Sequence, residues 1–358
     1  LEADAFVGNF VEVKNAVLRP GATDVPLARL LRLALFQLSV GLALVLLNGK
    51  RLGVSTQGLA DLSTLPVAAV ERIEVLKGPN ALVFGRGGGG GVINRVLKEA
   101  DGIPIREVIV QGGQYFNKRV AVDVGDRVNE NVFFRLNGVF EDTGTYRDFV
   151  DIRRYGINPT MTFLLGPATT LKLSYEYFHD ERNTDRGIPS RFGRPYDYRR
   201  NTSTYFGNPD LSVARVDANI ATATLDHQFE SGVALHSTLR FADYQKFYSN
   251  VYPGGAVNAA GTSVNITAYN NSTPRTNYFS QNDFTYKFDT GVLRHTLLGG
   301  FELGYQEGRA FREEGFFANG TQTLAVNPIF PTFAQSIESA LARRGFTPVL
   351  CTQTDDGL

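Results

Sequence analysis

From Ile105 onward this chain of 358 residues reads as a series of segments in which apolar and polar side chains alternate, the period-2 signal of strands whose two faces meet different surroundings. Val132, Phe134, Leu136 and Phe140 alternate with Arg135, Asn137 and Glu141; Leu171, Leu173, Tyr175 and Tyr177 alternate with Lys172, Ser174 and Glu176. Leu297, Phe301, Leu303 and Tyr305 alternate with Thr296, Glu302 and Gln306. Nine strands are predicted, near residues 105–113, 118–127, 131–142, 153–165, 169–180, 214–229, 233–249, 276–288 and 293–307. A soluble sandwich would alternate as well, so the connections decide. They are tight at Asn129 to Glu130, Gly166 to Ala168, Ser231 to Gly232 and Thr290 to Gly291, and long at 143–152, 181–213, 250–275 and from 308 onward. In an up-and-down sheet successive connections lie at opposite ends, so every long loop leaves on one side. That asymmetry belongs to a membrane barrel.

Composition removes several alternatives. Thirty-six basic residues balance 36 acidic ones, which leaves no electrostatic footprint for nucleic acid. A single cysteine, Cys351, rules out an internal disulfide and a cysteine-cluster metal site; it is a free thiol or pairs outside this chain. Leu33 to Leu47 is apolar, but its fifteen residues fall short of the roughly 20 that a membrane helix needs, and its end, ALVLLNGKRLG, reads as a strand entering an Asn-Gly turn. Tyr146, Phe149, Tyr177, Phe178, Phe247 and Tyr248 lie near strand ends, where an interfacial aromatic girdle is expected. Nine strands cannot close a barrel by themselves, because an open edge in lipid leaves N–H and C=O groups unsatisfied. The sheet is therefore expected to be part of a larger wall.

Ahead of the strands, Ala69 to Lys98 places two β-branched runs around five glycines, Gly87, Gly88, Gly89, Gly90 and Gly91. Gly85, Gly87 and Gly90 also satisfy G-x-G-x-x-G, so a soluble nucleotide-binding enzyme using the Gly85–Gly91 turn is the rival from another class. A phosphate-binding turn should open a helix, whereas the residues that follow, VINRV, have a strand composition. The elements E-R-I-E-V-L-K-G-P, F-G-R-G and G-G-V-I-N within this stretch resemble the plug signature of TonB-dependent outer-membrane siderophore receptors. The strand ending V-L-L-N-G resembles another plug element, and residues 1–40 match that family poorly.

The resemblance implies an α+β plug over residues 1–100, followed by a partial transmembrane antiparallel β-barrel over 105–358, nine strands of a wall of about 22. It implies a bacterial outer-membrane receptor that imports ferric siderophores, of catecholate type, with energy coupling through TonB. The family's chelate carries the iron, so no cofactor or metal is bound directly. A receptor of the same architecture for haem, cobalamin or a glycan is the alternative, and an open porin is excluded by the plug. Outer-membrane lipid is the remaining partner, and no catalytic motif is present.

Two residue sets follow from this frame. The loop Glu181 to Leu211 combines six arginines with tyrosines and phenylalanines, a mixture suited to an anionic aromatic ligand, although such loops also hold lipopolysaccharide phosphates. Its Arg186, Arg191, Tyr196, Tyr198, Arg199, Arg200 and Tyr205, facing Phe84, Gly85 and Arg86 at the plug apex, form the expected ligand site. Glu71, Arg72, Glu74, Lys77 and Arg95 are expected to lock plug to wall, with inward-facing partners among Arg135, Glu141, Lys172, Glu176, Asp217 and Glu302. His227 and His236 flank one predicted tight turn and could approach each other, and Thr332 to Arg344 has helical spacing.

Overall fold

The computed structural model describes residues 43–47, 50–51, 69–77, 91–196, 202–317, 320–328 and 347–349. Four strands form a small sheet: β1 (Ala43–Leu47), β2 (Lys50–Arg51), β3 (Val70–Lys77) and β4 (Gly91–Leu97), in the order β2-β1-β4-β3. β1 and β2 form a hairpin in which Leu47 pairs with Lys50, as a two-residue Asn-Gly connection requires. β1 pairs with β4 in parallel, and β3 with β4 antiparallel. Gly91 thus begins a strand and not a helix, which removes the nucleotide-binding reading. The predicted helix at 332–344 lies outside the described residues.

After a short link at 98–104 come the wall strands β5 (Ile105–Gly112), β6 (Lys118–Asn129), β7 (Val132–Thr143), β8 (Ile152–Gly166) and β9 (Thr169–Asn183). The loop after β9 carries the short hairpin β10 (Ser190–Arg191) and β11 (Arg194–Pro195). β12 (Val213–Gln228), β13 (Val233–Pro253), β14 (Val264–Ser272), β15 (Arg275–Thr290), β16 (Leu293–Gly308), β17 (Phe311–Glu314), β18 (Leu324–Val326) and β19 (Thr347–Val349) complete the described order. The nine long strands anticipated by the alternation are β5 to β9, β12, β13, β15 and β16, and each pairs antiparallel with its neighbour. The tight turns carry the backbone they need: Gly232 and Gly291 sit at φ of 85° and 61°.

The two faces of the wall are told apart by what covers them. Ile220 of β12 and Ala242 of β13 pack with Ala69 and Leu97 of the small sheet, and Tyr244 flanks them, so these positions face the lumen. Burying Ile220 and Leu97 contributes about 1.5–3 kcal/mol each. The alternate positions are exposed and apolar, among them Leu136, Ile157, Met161, Leu173, Leu239, Phe241, Tyr278, Leu303 and Tyr305. Register sets them side by side in an outward band crossing the strands, as in a lipid-facing wall. Phe178 and Tyr248, expected in the aromatic girdle, belong to the lumen face instead. Phe178 shares the parity of Glu176, and Tyr248 that of Ala242 and Tyr244.

A membrane strand needs about 9–11 residues, and β13 has 21. It changes partner along its length: Val233 to Tyr244 pair with β15, and Phe247 to Pro253 pair with β14. The upper part of β13, with β14, β17 and β18, forms an extension at the long-loop end that the alternation did not anticipate. Its own core consists of Phe206, Val251, Ile266, Ala268 and Phe317, flanked by Ile188, Leu211, Leu324 and Val326.

Candidate functional site at the lumen mouth

β13 runs without a bulge past the plug contacts at Ala242 and Tyr244, so Lys246, Tyr248, Asn250 and Tyr252 continue on the lumen face toward the long-loop end. Asn250 is paired with Tyr269 of β14, and Asn271 of β14 with Arg312 of β17, which brings Tyr269 and Arg312 to the same face. The alternate residues of β14, Ile266 and Ala268, fill the loop core behind it. One short sequence, Ile266-Thr-Ala-Tyr269, therefore anchors the extension and presents an aromatic ring to the lumen.

Arg186 comes to this platform from the loop after β9. Its guanidinium carbon lies 4.1 Å from the centre of the Tyr252 ring and 5.4 Å from that of Tyr269, and it donates to the Tyr269 hydroxyl. Tyr252 and Tyr269 meet edge to face at 5.7 Å, and Tyr248 lies 5.7 Å from Tyr269 on another side. Arg312 stacks on Tyr269 at 4.1 Å but is bonded to Glu314 at 2.6 Å. Arg186 has no ion pair with a carboxylate among the described residues; its partners are phenols and rings. Burial raises the Tyr269 phenol above its ordinary range and the neighbouring Tyr248 adds to this, so it serves as a neutral hydrogen-bonding group. Burial would lower the Arg186 guanidinium, but the bond to Tyr248 and the surrounding phenols raise it, and it stays charged. A cation on an aromatic platform, without a competing carboxylate, is chemically ready for an anionic, flat ligand.

The other expected ligand residues do not gather here. Arg191 donates to the Ala259 carbonyl at 2.5 Å and lies over Phe192 and Tyr196, while Tyr196 donates to the Gly261 carbonyl at 3.0 Å. Both therefore brace the loop hairpin against residues 254–263. Tyr205 is buried, donating to the Thr184 carbonyl at 2.9 Å and packing beside Phe149, and burial pushes its phenol up to about 12. It holds the loop base and is not exposed to a ligand. Tyr198, Arg199, Arg200, Phe84, Gly85, Arg86 and Gly87 to Gly90 lie outside the described residues. Tyr248, Tyr252 and Tyr269 were missed by the sequence reading. The signal available was their parity with Ala242 on one continuous strand, but the partner change of β13 was not visible.

Between plug and wall, Arg95 of β4 donates to both carboxylate oxygens of Glu176, at 2.9 and 2.7 Å, with both side chains almost fully buried. Two neighbours that sequence did not single out add to this seam. Lys98 reaches Asp123 at 2.8 Å, and Glu99 takes Lys172 at 2.6 Å and accepts from Arg135 through its carbonyl at 3.2 Å. Arg135 is itself paired with Asp123 at 2.9 Å, and Glu141 lies within 3.8 Å of Arg119 and 3.6 Å of Arg154 on the wall.

The remaining expected lock residues differ. Arg72 and Glu74 pair with each other at 2.7 Å, because residues two apart share one face of a strand, and Asn94 donates to Glu74 at 2.8 Å. Burial would raise the Glu74 carboxyl, but those bonds from Asn94 and Arg72 hold it below its usual range. Glu71 is exposed, with its charge acting on Arg135 of the wall, and the side chain of Lys77 lies outside the described residues. Asp217 was expected inward and faces outward: Val216, Ala218 and Ile220 occupy the lumen parity of β12, and Asp217 is bonded to His179 at 2.7 Å. Register puts Glu302 beside Gln281, with no ion pair among the described residues.

His227 and His236 do not meet. Register sets Leu235 opposite His227 and Asp226 opposite His236, placing the two rings on opposite faces. Among the described residues no group of three or more His, Cys, Asp or Glu could hold a metal ion.

Residues 35–92 match the family described as the TonB-dependent Receptor Plug Domain. The metal-pseudopaline receptor CntO of Pseudomonas aeruginosa is 28% identical over 249 residues, 66% of this chain and 33% of that protein. The catecholate siderophore receptor Fiu of Escherichia coli is 26% identical over 282 residues, 72% of this chain and 35% of that protein. The chain thus spans about a third of the length of these curated relatives. Among solved structures, P. aeruginosa FpvA bound to heterologous pyoverdines superposes with a TM-score of 0.74 at 20% identity, covering 86% of this chain and 40% of that one. The siderophore receptor PiuA of Acinetobacter baumannii gives 0.67 at 24% identity, covering 85% and 42%. With a plug sheet seated on the lumen face of an antiparallel wall that is apolar outside, the chain is similar in sequence and in fold to TonB-dependent siderophore receptors over their plug and the first part of their wall.

Proposed function

We propose that this chain forms the plug and the first part of the wall of a receptor that binds a ferric siderophore at its outer mouth and admits it when TonB remodels the plug. The single observation that carries the ligand assignment is Arg186, a cation on the Tyr252 and Tyr269 rings facing the lumen, with no carboxylate partner among the described residues. An anionic, aromatic chelate of catecholate type matches it: the guanidinium meets the oxygens and the rings lie against the flat ligand. The name of one relative, the catecholate siderophore receptor Fiu, supports the same class, and that of another, the metal-pseudopaline receptor CntO, supports a metal chelate as cargo. Iron is cargo within the chelate, and the function is transport and not catalysis.

The test is direct titration of the full-length receptor with a ferric catecholate. Arg186→Ala is expected to weaken binding by about 1.5–3 kcal/mol, the loss of a hydrogen bond to a charged group, while Arg191→Ala leaves affinity unchanged. Equal affinity in the Arg186 variant and the unaltered receptor would place the ligand elsewhere.

A further inference from the structure

A break in the wall ladder lies directly beneath the plug. The register of β8 against β9 passes from Ile157–Tyr177 to Thr160–Ser174 and skips Asn158 and Pro159. Proline has no N–H to give to the neighbouring strand, and the Tyr175 carbonyl accepts from the Asn158 side-chain amide at 2.8 Å instead. That bond fixes the orientation of the amide: Nδ2 is the atom on Tyr175, and Oδ1 is the prong left over.

Register sets Asn137 of β7 beside Asn158, and Asp123 of β6 beyond Asn137, so that Asp123, Asn137, Asn158 and Glu176 form one row across the lumen face. Asp123 is held by Arg135 and Lys98. The two asparagines are each 1% exposed. Among the described residues, Asn158 Oδ1 and both polar atoms of the Asn137 side chain have no hydrogen-bond partner. Such atoms are rare in native proteins, because they have given up water for nothing. Asn137, Asn158, Glu176 and Ala69 of the plug line a cavity of about 10 Å³, and a space of about 10–15 Å³ takes one water and nothing larger. The atoms around it ask for a group that both donates and accepts: Nδ2 needs an acceptor, and the two Oδ1 atoms need donors. Water meets both demands, whereas a cation would leave Nδ2 unserved.

We propose that this cavity is the binding site of one structural water, and that the water is a stand-in partner for Glu176 when the plug unseats. While Arg95 holds both oxygens of Glu176, the water accepts from Asn137 Nδ2 and donates to the asparagine oxygens. When β4 withdraws and takes Arg95 with it, the water turns one O–H to the carboxylate, so the charge on the wall is not left bare. A buried carboxylate that loses its cation in a dry seam is strongly unfavourable, so a water already in place lowers the barrier to plug movement. This role rests on the plug movement proposed above and not on which chelate is bound.

Two measurements on the full-length receptor test this. A crystal structure sharp enough to show ordered solvent should place one water within hydrogen-bond distance of both Asn137 and Asn158. Amide hydrogen exchange in β4 reads how readily the plug strand leaves the wall. Asn137→Leu replaces the polar atoms with methyls that occupy the room of the water, and should slow β4 exchange about tenfold, the equivalent of one hydrogen bond to a charged group. Asn137→Ser keeps a hydroxyl for the water and should exchange as the unaltered receptor does. The heat-modifiable electrophoretic mobility of a closed barrel identifies variants that have folded. A seam without that water, or with Asn137 rotated onto Asp123, overturns the proposal, and so does a folded Asn137→Leu receptor whose β4 exchanges as fast as before, or a serine variant as slow as the leucine one. Loss of catecholate binding would count against the ligand assignment alone, because neither measurement uses the chelate.

Discussion

Arg95 and Glu176 meet in a two-pronged ion pair, at 2.9 and 2.7 Å, with side chains only 1% and 2% exposed, and this pair joins the plug strand β4 to wall strand β9. Removing water from both charges is costly, and the bidentate geometry offsets that cost only while both partners are present. Glu176→Ala should therefore destabilise plug seating by about 3–5 kcal/mol, whereas Arg95→Met with Glu176→Met should recover most of it. Protease susceptibility of the plug in the full-length receptor measures both. A double variant as labile as the single one would mean that the charges contribute net stability.

The platform under Arg186 makes a separate demand on Tyr252. Tyr252→Leu should weaken ferric-catecholate binding by about 0.5–2 kcal/mol through loss of the cation–π contact, and Tyr252→Phe should keep most of it, because the ring and not the hydroxyl faces the guanidinium. Titration of the two variants side by side distinguishes ring from hydroxyl.

The loop core behind Tyr269 should behave as a local folding unit. Ile266 is fully buried among Phe206, Val251, Ala268 and Phe317, and Ile266→Ala should cost about 2–5 kcal/mol. Amide hydrogen exchange should accelerate in β14 and in residues 202–212, with the lower half of β13 still protected by β12 and β15. Uniform acceleration along β13 would show that extension and wall unfold together.

Tyr205 predicts an alkaline limit to the same extension. Burial raises its folded pKa to about 12, above the ordinary 10.0. The folded form thus keeps a proton that the unfolded form has lost, and stability falls as pH rises from about 10 through about 12, being fully present below that window. Loop protection, taken relative to the intrinsic exchange rate at each pH, should lose this alkaline fall in Tyr205→Phe, though the variant also forfeits the bond to Thr184 at neutral pH.

Alternation along β5 to β16 and the short and long connections were legible in the sequence because each strand's two faces meet different solvents, and that difference is written locally, two residues at a time. Strand character after Gly91 was legible for the same reason. The partner of Arg95 could be narrowed to a few lumen charges and no further, since Glu176 lies 81 residues away and only the register of β9 against the plug selects it. Asp217 shows the limit of that inference. Its charge suggested the lumen, but the apolar Val216, Ala218 and Ile220 had already taken that face, because the plug covers this part of the lumen with Ala69 and Leu97 and not with water. The mouth site lay further from view. Arg186 was legible as an arginine in an aromatic loop, but Tyr252 and Tyr269 become its platform only because β13 outruns the membrane and exchanges β15 for β14. A change of hydrogen-bonding partner leaves no mark on side-chain periodicity, so only the tertiary structure could decide it.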